Sequence, residues 1–194
     1  TMDLMIDLET LSTSNNAAVV TMAAIKFDPH ADYSKLTVDQ LPPNQVYYKR
    51  IDLDSCLKIG LITNEQTIEW WGTQPKEAQD EAFGDNGDRI SIDEAMRELN
   101  KFSFGIKKPW SHGSCFDLMI IEEICKRLEL GIRWKFYDIR DTRTIFDLGV
   151  DPKMPKADKH HALHDAFRQV IGVQNVMREL AKNGVPVKNT VKLF

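Results

Sequence analysis

The first fifty residues contain three short runs of mostly apolar positions, at 4–8, 17–27 and 45–51. Runs of this length, separated by polar or proline-containing loops, are typical of β-strands. Asp28 and Pro29 end the second run, because proline cannot donate to a strand ladder. Three strands that follow one another so closely along the chain predict an antiparallel meander.

The rest of the chain has mainly the apolar spacing of helices. The predicted helices cover residues 64–71, 75–82, 91–102, 117 to about 131, 141–148 and 161–182. Ser91, with Glu94 three residues later, forms a capping-box pattern that marks the start of the third helix. A short buried strand is predicted at 109–112. Three strands followed by alternating helix and strand predict an α/β fold with a mixed sheet.

Length and charge narrow the class of protein. A chain of 194 residues can form one substantial core and is short for two independent domains. Its formal net charge of −4 argues against a protein that coats nucleic acid through bulk electrostatics. An enzyme that holds a short stretch of backbone through metal ions is not excluded, because bound divalent cations reverse the local sign of the charge.

The sequence favours a cytoplasmic location without a membrane partner. No apolar run approaches the length of a bilayer span, and no signal-peptide pattern opens the chain. Cys56, Cys115 and Cys125 are an odd, scattered set without metal-ligand spacing. We interpret them as the reduced thiols of a cytosolic protein.

Asp7 and Glu9 stand two residues apart in the first predicted strand. This spacing places both carboxylates on one face of a strand, where they could hold a metal ion, while Ile6 and Leu8 point to the other face. Taken alone, the pattern more often belongs to a half-exposed strand whose acids face water.

Asp117 follows a short predicted strand and a turn of small residues. An acid at this point lies at the carboxyl edge of the sheet, where ligands of α/β proteins bind. Ordinary capping of the next helix by an acidic first turn is an equally good interpretation.

His160 and Asp165 stand five residues apart. Within one continuous helix they would lie on different faces, so they converge only if His160 belongs to the preceding loop. The alternative is an exposed, histidine-rich helix start. His160 and His164 could also form half of a zinc site, but the other candidate ligands are carboxylates, which favour magnesium or manganese.

Two adjacent tryptophans, Trp70 and Trp71, are the most prominent aromatic feature of the middle segment. The pattern favours packing in the core or between subunits. Base stacking by one of them is the alternative interpretation.

Three motifs in this order resemble the exonuclease motifs of the DEDDh family: DLET from Asp7, HGSCFD ending at Asp117, and HHALHDA containing Asp165. The resemblance implies an RNase H-like fold, with a mixed five-stranded sheet flanked by helices. It implies that Asp7, Glu9, Asp117 and Asp165 are the metal-binding catalytic acids and that His160 is the general base. It extends from Asp7 to Asp165 and places one exonuclease domain at 2–183, followed by a C-terminal tail at 184–194.

The resemblance further implies a 3′–5′ exonuclease that uses two Mg²⁺ or Mn²⁺ ions and releases nucleoside 5′-monophosphates. The expected substrate is single-stranded or 3′-overhang nucleic acid, with DNA and RNA both open. A homodimer is compatible with the resemblance. The alternative function is a catalytically inactive nucleic-acid-binding module of the same fold, and a metal-dependent hydrolase of other phosphodiesters is a third.

Several positions refine the comparison with the DEDDh family. The resemblance implies substrate contacts at Thr10, Leu11, His112, Phe116 and Arg143. The sister family has a tyrosine four residues before the last acid, where this chain has His161, so both His160 and His161 are candidate bases. Gly113 replaces the asparagine that many relatives carry, and Asp141 lies in a DTRT segment that helps to shape the site. The short single-domain form, with its TIEWW and DTRT segments, is most similar to bacterial and phage exonucleases grouped with mycobacterial exoribonuclease-like proteins.

Overall fold

A computed structural model describes residues 2–156 and 160–185. Within these ranges the strands are β1 (Asp3–Thr10), β2 (Val19–Phe27), β3 (Val46–Arg50), β4 (Pro109–Ser111) and β5 (Arg140–Asp141). The helices are α1 (Leu53–Lys58), α2 (Glu65–Gly72), α3 (Lys76–Phe83), α4 (Ile92–Phe102), α5 (Asp117–Arg127), α6 (Thr142–Phe146) and α7 (Ala162–Lys182). Of the predicted tail at 184–194, residues 186–194 lie outside the described ranges.

The five strands form one mixed sheet in the order β3-β2-β1-β4-β5. β1 pairs antiparallel with β2, and β2 antiparallel with β3, which confirms the predicted meander. β4 pairs in parallel with β1 and with β5. The predicted α/β class with a mixed five-stranded sheet is therefore confirmed. Helix α1 and the two-residue strand β5 were not predicted, because elements this short show no periodicity.

The two faces of β1 enter different parts of the core. Leu4, Ile6 and Leu8 pack into a buried cluster with residues of α4 and α5. Met5, on the opposite face, belongs to a second cluster formed with α7. This division follows from the alternation of side chains along a strand. It leaves Asp3, Asp7 and Glu9 on the face that α7 covers.

Local capping sets where the flanking helices begin. The Ser91 hydroxyl accepts a hydrogen bond of 3.1 Å from the Glu94 backbone N–H, so α4 starts at Ile92 as predicted. α7 begins at Ala162, directly after His161, and buries an apolar stripe against the sheet. Among the helices of the described ranges, none is long and apolar enough to cross a membrane.

Candidate active site

Strand β1 presents Asp7 and Glu9 on the same face, as predicted. Asp7 lies opposite Ala23 and Glu9 opposite Thr21 in the ladder with β2, and the register shifts directly after Glu9. Glu9 is buried, whereas Asp7 is half-buried. The strand fixes the separation of the two carboxylates at the end where its regular pairing stops.

Helix α7 adds the third acid. Carboxylate oxygens of Asp7, Glu9 and Asp165 all lie within 4.8 Å of one another, and we call these three residues the acid cluster. Asp165 is in the first turn of α7, which packs across β1. Residues from the two ends of the chain therefore meet at one point.

Asp117 lies beside the acid cluster without belonging to it. It is the first residue of α5 and is buried. One of its oxygens, Oδ2, accepts a hydrogen bond of 3.0 Å from the Leu8 backbone N–H. This bond orients the Asp117 carboxylate toward the end of β1.

Burial and mutual repulsion raise the pKa values of these carboxyls. Burial, followed by repulsion from Asp165 and Asp117, raises the pKa of Glu9 to about 9. Burial also raises the pKa of Asp7 well above its ordinary range, with further contributions from Asp117, Glu9 and Asp165. The pKa of Asp117 rises to about 7 through burial, against the lowering effect of the Leu8 hydrogen bond. Such a group of acids ionises together only where cations compensate the charge.

Gln169 supports the acid cluster from α7. It lies four residues after Asp165, on the same helix face, and its side chain is buried. A hydrogen bond from its side chain lowers the pKa of Asp7 against the larger effect of burial. Gln169 was not predicted from the sequence, although its four-residue spacing from Asp165 was a usable signal.

The two candidate histidines have different surroundings. His160 lies two residues before the first residue of α7. Burial raises the pKa of the Asp165 carboxyl, and a hydrogen bond with the His160 backbone acts to lower it. The His161 ring instead stacks on Tyr48, and its Nε2 lies 3.6 Å from Glu81 Oε1. His160 therefore has a direct backbone hydrogen-bond link to the Asp165 carboxyl of the acid cluster.

Among the described residues, His164 belongs to no group of three or more potential metal ligands. Its ring stacks on that of His161, with centroids 4.0 Å apart. The acid cluster itself offers oxygen ligands, which suit magnesium and manganese better than zinc.

A cleft of about 460 Å³ opens beside Glu9. Its walls come from the end of β1, the following loop, α2 and the start of α5. The lining residues are Leu8, Glu9, Thr10, Ser12, Thr13, Asn64, Gln66, Thr67, Trp70, Trp71 and Phe116. Of the predicted substrate contacts, Thr10 and Phe116 line this cleft. Gln66 and Thr67 of α2 were not predicted, because nothing in the local sequence shows that α2 faces β1. For Trp70 and Trp71, contact with a base was the alternative interpretation.

Leu11 is placed differently from the predicted substrate contact. Its side chain is 2% exposed and packs in a small core cluster with Val20 and Trp71. Trp71 is fixed there by a hydrogen bond of 2.9 Å from its Nε1–H to the Thr10 carbonyl oxygen. Leu11 therefore supports the floor behind the cleft, and we assign no substrate contact to its side chain.

Asp141 organises the turn before α5. Its carboxylate accepts hydrogen bonds from the backbone N–H groups of Gly113, Ser114 and Arg143, at 2.9–3.1 Å. Although burial acts to raise the pKa of Asp141, these hydrogen bonds hold it below its usual value. Asp141 therefore fixes the backbone around the second motif.

Gly113 makes room for Arg143. A Cβ atom at Gly113 would lie 2.5 Å from Arg143 Nη1, and the backbone there has a φ of +102°. The exposed Arg143 guanidinium donates to the His112 carbonyl oxygen at 3.3 Å and electrostatically lowers the pKa of Asp117, which burial raises. Gly113 thus leaves space for a cation whose charge acts on Asp117.

His112 lies on the far side of this turn. Its Nδ1 is 2.8 Å from the Thr142 hydroxyl, and its ring contacts Phe146. Burial, followed by repulsion from Arg143, lowers the pKa of His112. Among the described residues, neither His112 nor Arg143 lines the cleft beside Glu9.

The sequence is similar to a known protein family and to a phage protein. Residues 2–177 match the Rv2179c-like family, described as a 3′–5′ exoribonuclease Rv2179c-like domain. The chain belongs to this family. It is also 27% identical over 206 aligned positions to the exodeoxyribonuclease of Enterobacteria phage T4, covering 91% of this chain and 89% of the phage protein.

Solved structures show the same fold. The nuclease domain of 3′hExo, a DEDDh family member bound to rAMP, matches with a TM-score of 0.52 at 13% identity, covering 95% of this chain and 93% of that one. The RNase domain of the yeast Pop2 protein matches with a TM-score of 0.51 at 10% identity, covering 95% and 79%. The predicted RNase H-like fold, the resemblance to the DEDDh family and the assignment as a 3′–5′ exonuclease are confirmed.

Proposed function

We propose that this protein hydrolyses phosphodiester bonds one nucleotide at a time from the 3′ end of a nucleic acid, with two Mg²⁺ or Mn²⁺ ions, and releases nucleoside 5′-monophosphates. The observation that carries the proposal is the acid cluster. Carboxylate oxygens of Asp7, Glu9 and Asp165 lie within 4.8 Å of one another in a partly buried site. Their raised pKa values mark a site that is electrostatically incomplete without cations.

The side chains present fit divalent metal ions. Asp7, Glu9 and Asp165 would hold the ions, and Asp117 would contribute the oxygen that its hydrogen bond with Leu8 leaves available. Carboxylate oxygens are the ligands that magnesium and manganese prefer. When bound, ions of this kind lower the pKa of water and neutralise charge on a leaving oxygen.

His160 is the proposed general base. It lies two residues before α7, and its backbone makes a hydrogen bond with the Asp165 carboxyl. A histidine beside the attacking water can accept its proton in the transition state. His161, held by Tyr48 and Glu81, is assigned a structural role.

Arg143 and the cleft are the proposed substrate contacts. The exposed Arg143 guanidinium next to Asp117 can hold a phosphate oxygen through paired N–H donors. Thr10 and Phe116 line the cleft beside Glu9, which has the size and the mixed polar and aromatic lining that a terminal nucleoside needs.

The identity of the polymer is part of the proposal. The family is described as an exoribonuclease, whereas the phage relative is named an exodeoxyribonuclease. We propose single-stranded and 3′-overhang ends of both polymers as substrates. Cys56, Cys115 and Cys125 are free thiols, which is consistent with a reducing compartment such as the cytoplasm.

The proposal is tested with DNA and RNA oligonucleotides carrying a 5′ label, incubated with Mg²⁺ or Mn²⁺ and with EDTA. We expect a ladder that shortens from the 3′ end with metal and no products with EDTA. Chromatography of the released material should give nucleoside 5′-monophosphates. Binding of the oligonucleotides without any cleavage would instead establish the inactive-module alternative, and internal cleavage products would contradict an exonuclease.

A further inference from the structure

Trp70 is an exposed aromatic residue that is not part of the buried core. Its side chain is 43% exposed on α2, whereas the neighbouring Trp71 is 2% exposed and packs in the core. Trp71 is anchored to the Thr10 carbonyl next to Glu9. Helix α2 is thereby fixed to the end of β1, and Trp70 is held above the cleft.

The Trp70 indole contacts the imidazole of His160. The ring centroids are 4.8 Å apart and the ring planes cross at 82°. Trp71 meets the same imidazole at 5.9 Å and 73°. Edge-to-face contacts of this kind are favourable and have a defined direction, so they restrict where a ring can lie.

The backbone of His160 has a conformation that needs support from neighbouring residues. Its φ is +65°, in the left-handed region that side-chain-bearing residues adopt uncommonly. A residue in this conformation keeps it only where the surroundings hold it in place. The indoles of α2 are the ring partners of His160 among the described residues.

We propose that Trp70 is a positioning residue for His160: its indole holds the imidazole beside Asp165, and so places the proton acceptor relative to the acid cluster. This inference rests on the proposed function, in which His160 is the general base. Trp71 of α2 is hydrogen-bonded to β1, the strand that carries Asp7 and Glu9. Because Trp70 lies on the same helix and contacts His160, the position of the imidazole is fixed relative to that strand.

A different role for Trp70 would be a platform on which the terminal base stacks. The two roles make separable predictions. A stacking platform contributes to substrate binding whether or not His160 is present, and its loss raises KM. A positioning residue acts through the imidazole, so its loss lowers kcat and has no further effect once His160 is removed.

The test is a double-mutant cycle with Trp70→Leu and His160→Ala, measured as single-turnover cleavage and steady-state kcat and KM on one labelled oligonucleotide with Mn²⁺. Trp70→Phe keeps an aromatic edge and is the conservative variant. Ile68→Ala is the matched control, because Ile68 is 46% exposed on the same helix and does not line the cleft. Thermal unfolding of each variant measures any loss of folded protein.

We expect Trp70→Leu to lower kcat about threefold to tenfold, the range of an aromatic edge contact, with little change in KM. Trp70→Phe should restore most of the rate, Ile68→Ala should match the wild type, and adding Trp70→Leu to His160→Ala should cost nothing more. An equal loss from Trp70→Leu in both backgrounds, or a change confined to KM, overturns the positioning role alone. Full turnover in His160→Ala would overturn both this inference and the proposed general base.

Discussion

The two ends of strand β1 bury carboxylates on the same side of the sheet, but these carboxylates have different partners. At the start of the strand, Asp3 is 5% exposed and accepts a hydrogen bond of 2.9 Å from the Trp110 Nε1–H. Burial raises the pKa of Asp3, while this hydrogen bond and the charge of Lys108 lower it. The protein therefore supplies Asp3 with partners that partly offset the effect of burial, although the pKa of Asp3 remains raised.

At the other end of β1 the nearest charges are other acids. For Asp7 and Glu9, burial raises the pKa and neighbouring carboxylates raise it further. The contrast shows that a buried acid is not by itself a functional residue. What distinguishes Asp7 and Glu9 from Asp3 is that neighbouring carboxylates raise their pKa values further, whereas neighbouring donors and cations lower that of Asp3.

The largest effect is expected from Asp165→Asn. We expect cleavage to fall by more than about 10³-fold, equivalent to about 4 kcal/mol of transition-state stabilisation, because the cluster loses one of its three anionic ligands. Thermal stability without metal should be kept or slightly raised, since a repulsive charge is removed. Nuclease assays and thermal unfolding on the same preparation test both points, and undiminished cleavage would refute the assignment.

The next largest effect is expected from His160→Ala. Turnover should fall about 10²- to 10⁴-fold, the usual contribution of a general base. Binding of Mn²⁺, measured by calorimetry, should be unchanged, because the carboxylates that hold the ions are intact. His161→Ala is the matched control and should cost far less turnover. Weakened Mn²⁺ binding with normal turnover at saturating metal would show that His160 has another role.

The acid cluster also predicts how stability depends on pH. Folded Glu9 holds its proton up to a pKa of about 9, whereas its ordinary pKa is 4.5. Between these values the unfolded chain has released a proton that the folded chain retains, so the free energy of unfolding without metal falls as the pH rises. Thermal unfolding in EDTA between pH 4.5 and about 9 tests whether the free energy of unfolding falls as the pH rises.

Metal should reverse that pH trend. Mg²⁺ or Mn²⁺ competes with protons for the carboxylates, so the stabilisation by either ion should grow as the pH rises. Glu9→Gln is the control, because it removes one titrating carboxyl and should make the trend without metal less steep, while Asp7 and Asp117 still titrate. A free energy of unfolding in EDTA that rises from pH 4.5 to about 9 would be incompatible with the raised pKa of Glu9.

The smallest effect on activity is expected at the other end of β1. Asp3→Leu leaves the buried Trp110 Nε1–H without its acceptor and should cost about 1–3 kcal/mol of stability. Cleavage per folded molecule should stay at the wild-type level. Asp3→Asn keeps an acceptor oxygen and should be milder. If Asp3→Asn lost more turnover than folded protein, the claim that Asp3 contributes only to stability would be contradicted.

Strand periodicity was enough to place part of the site. The two-residue spacing of Asp7 and Glu9 predicts that they share one face of the strand. The predicted final helix places Asp165 in its first turn, as observed. That His160 meets Asp165 follows from the family resemblance, since a loop conformation with a φ of +65° has no local sequence signal. The early meander and the capped helix α4 were predictable because their signals are local.

The rest depends on contacts between distant segments. The hydrogen bond from Leu8 to Asp117 spans 109 residues, and the one from Trp110 to Asp3 spans 107. No periodicity within β1 shows that Asp3 has the Trp110 indole as its partner whereas Asp7 lies among other carboxylates. For the same reason the burial of Leu11 and the approach of Trp70 to His160 appear only in the folded chain.

The most direct test of the account is the anomalous scattering of Mn²⁺ in a crystal of the wild-type protein. One anomalous difference map then shows both Asp3 and the acid cluster. We predict anomalous peaks in contact with the carboxylates of Asp7, Glu9 and Asp165, and no peak at Asp3. A map without a peak at the acid cluster, from crystals in buffer that supports cleavage, would contradict the claim that these acids form the metal site.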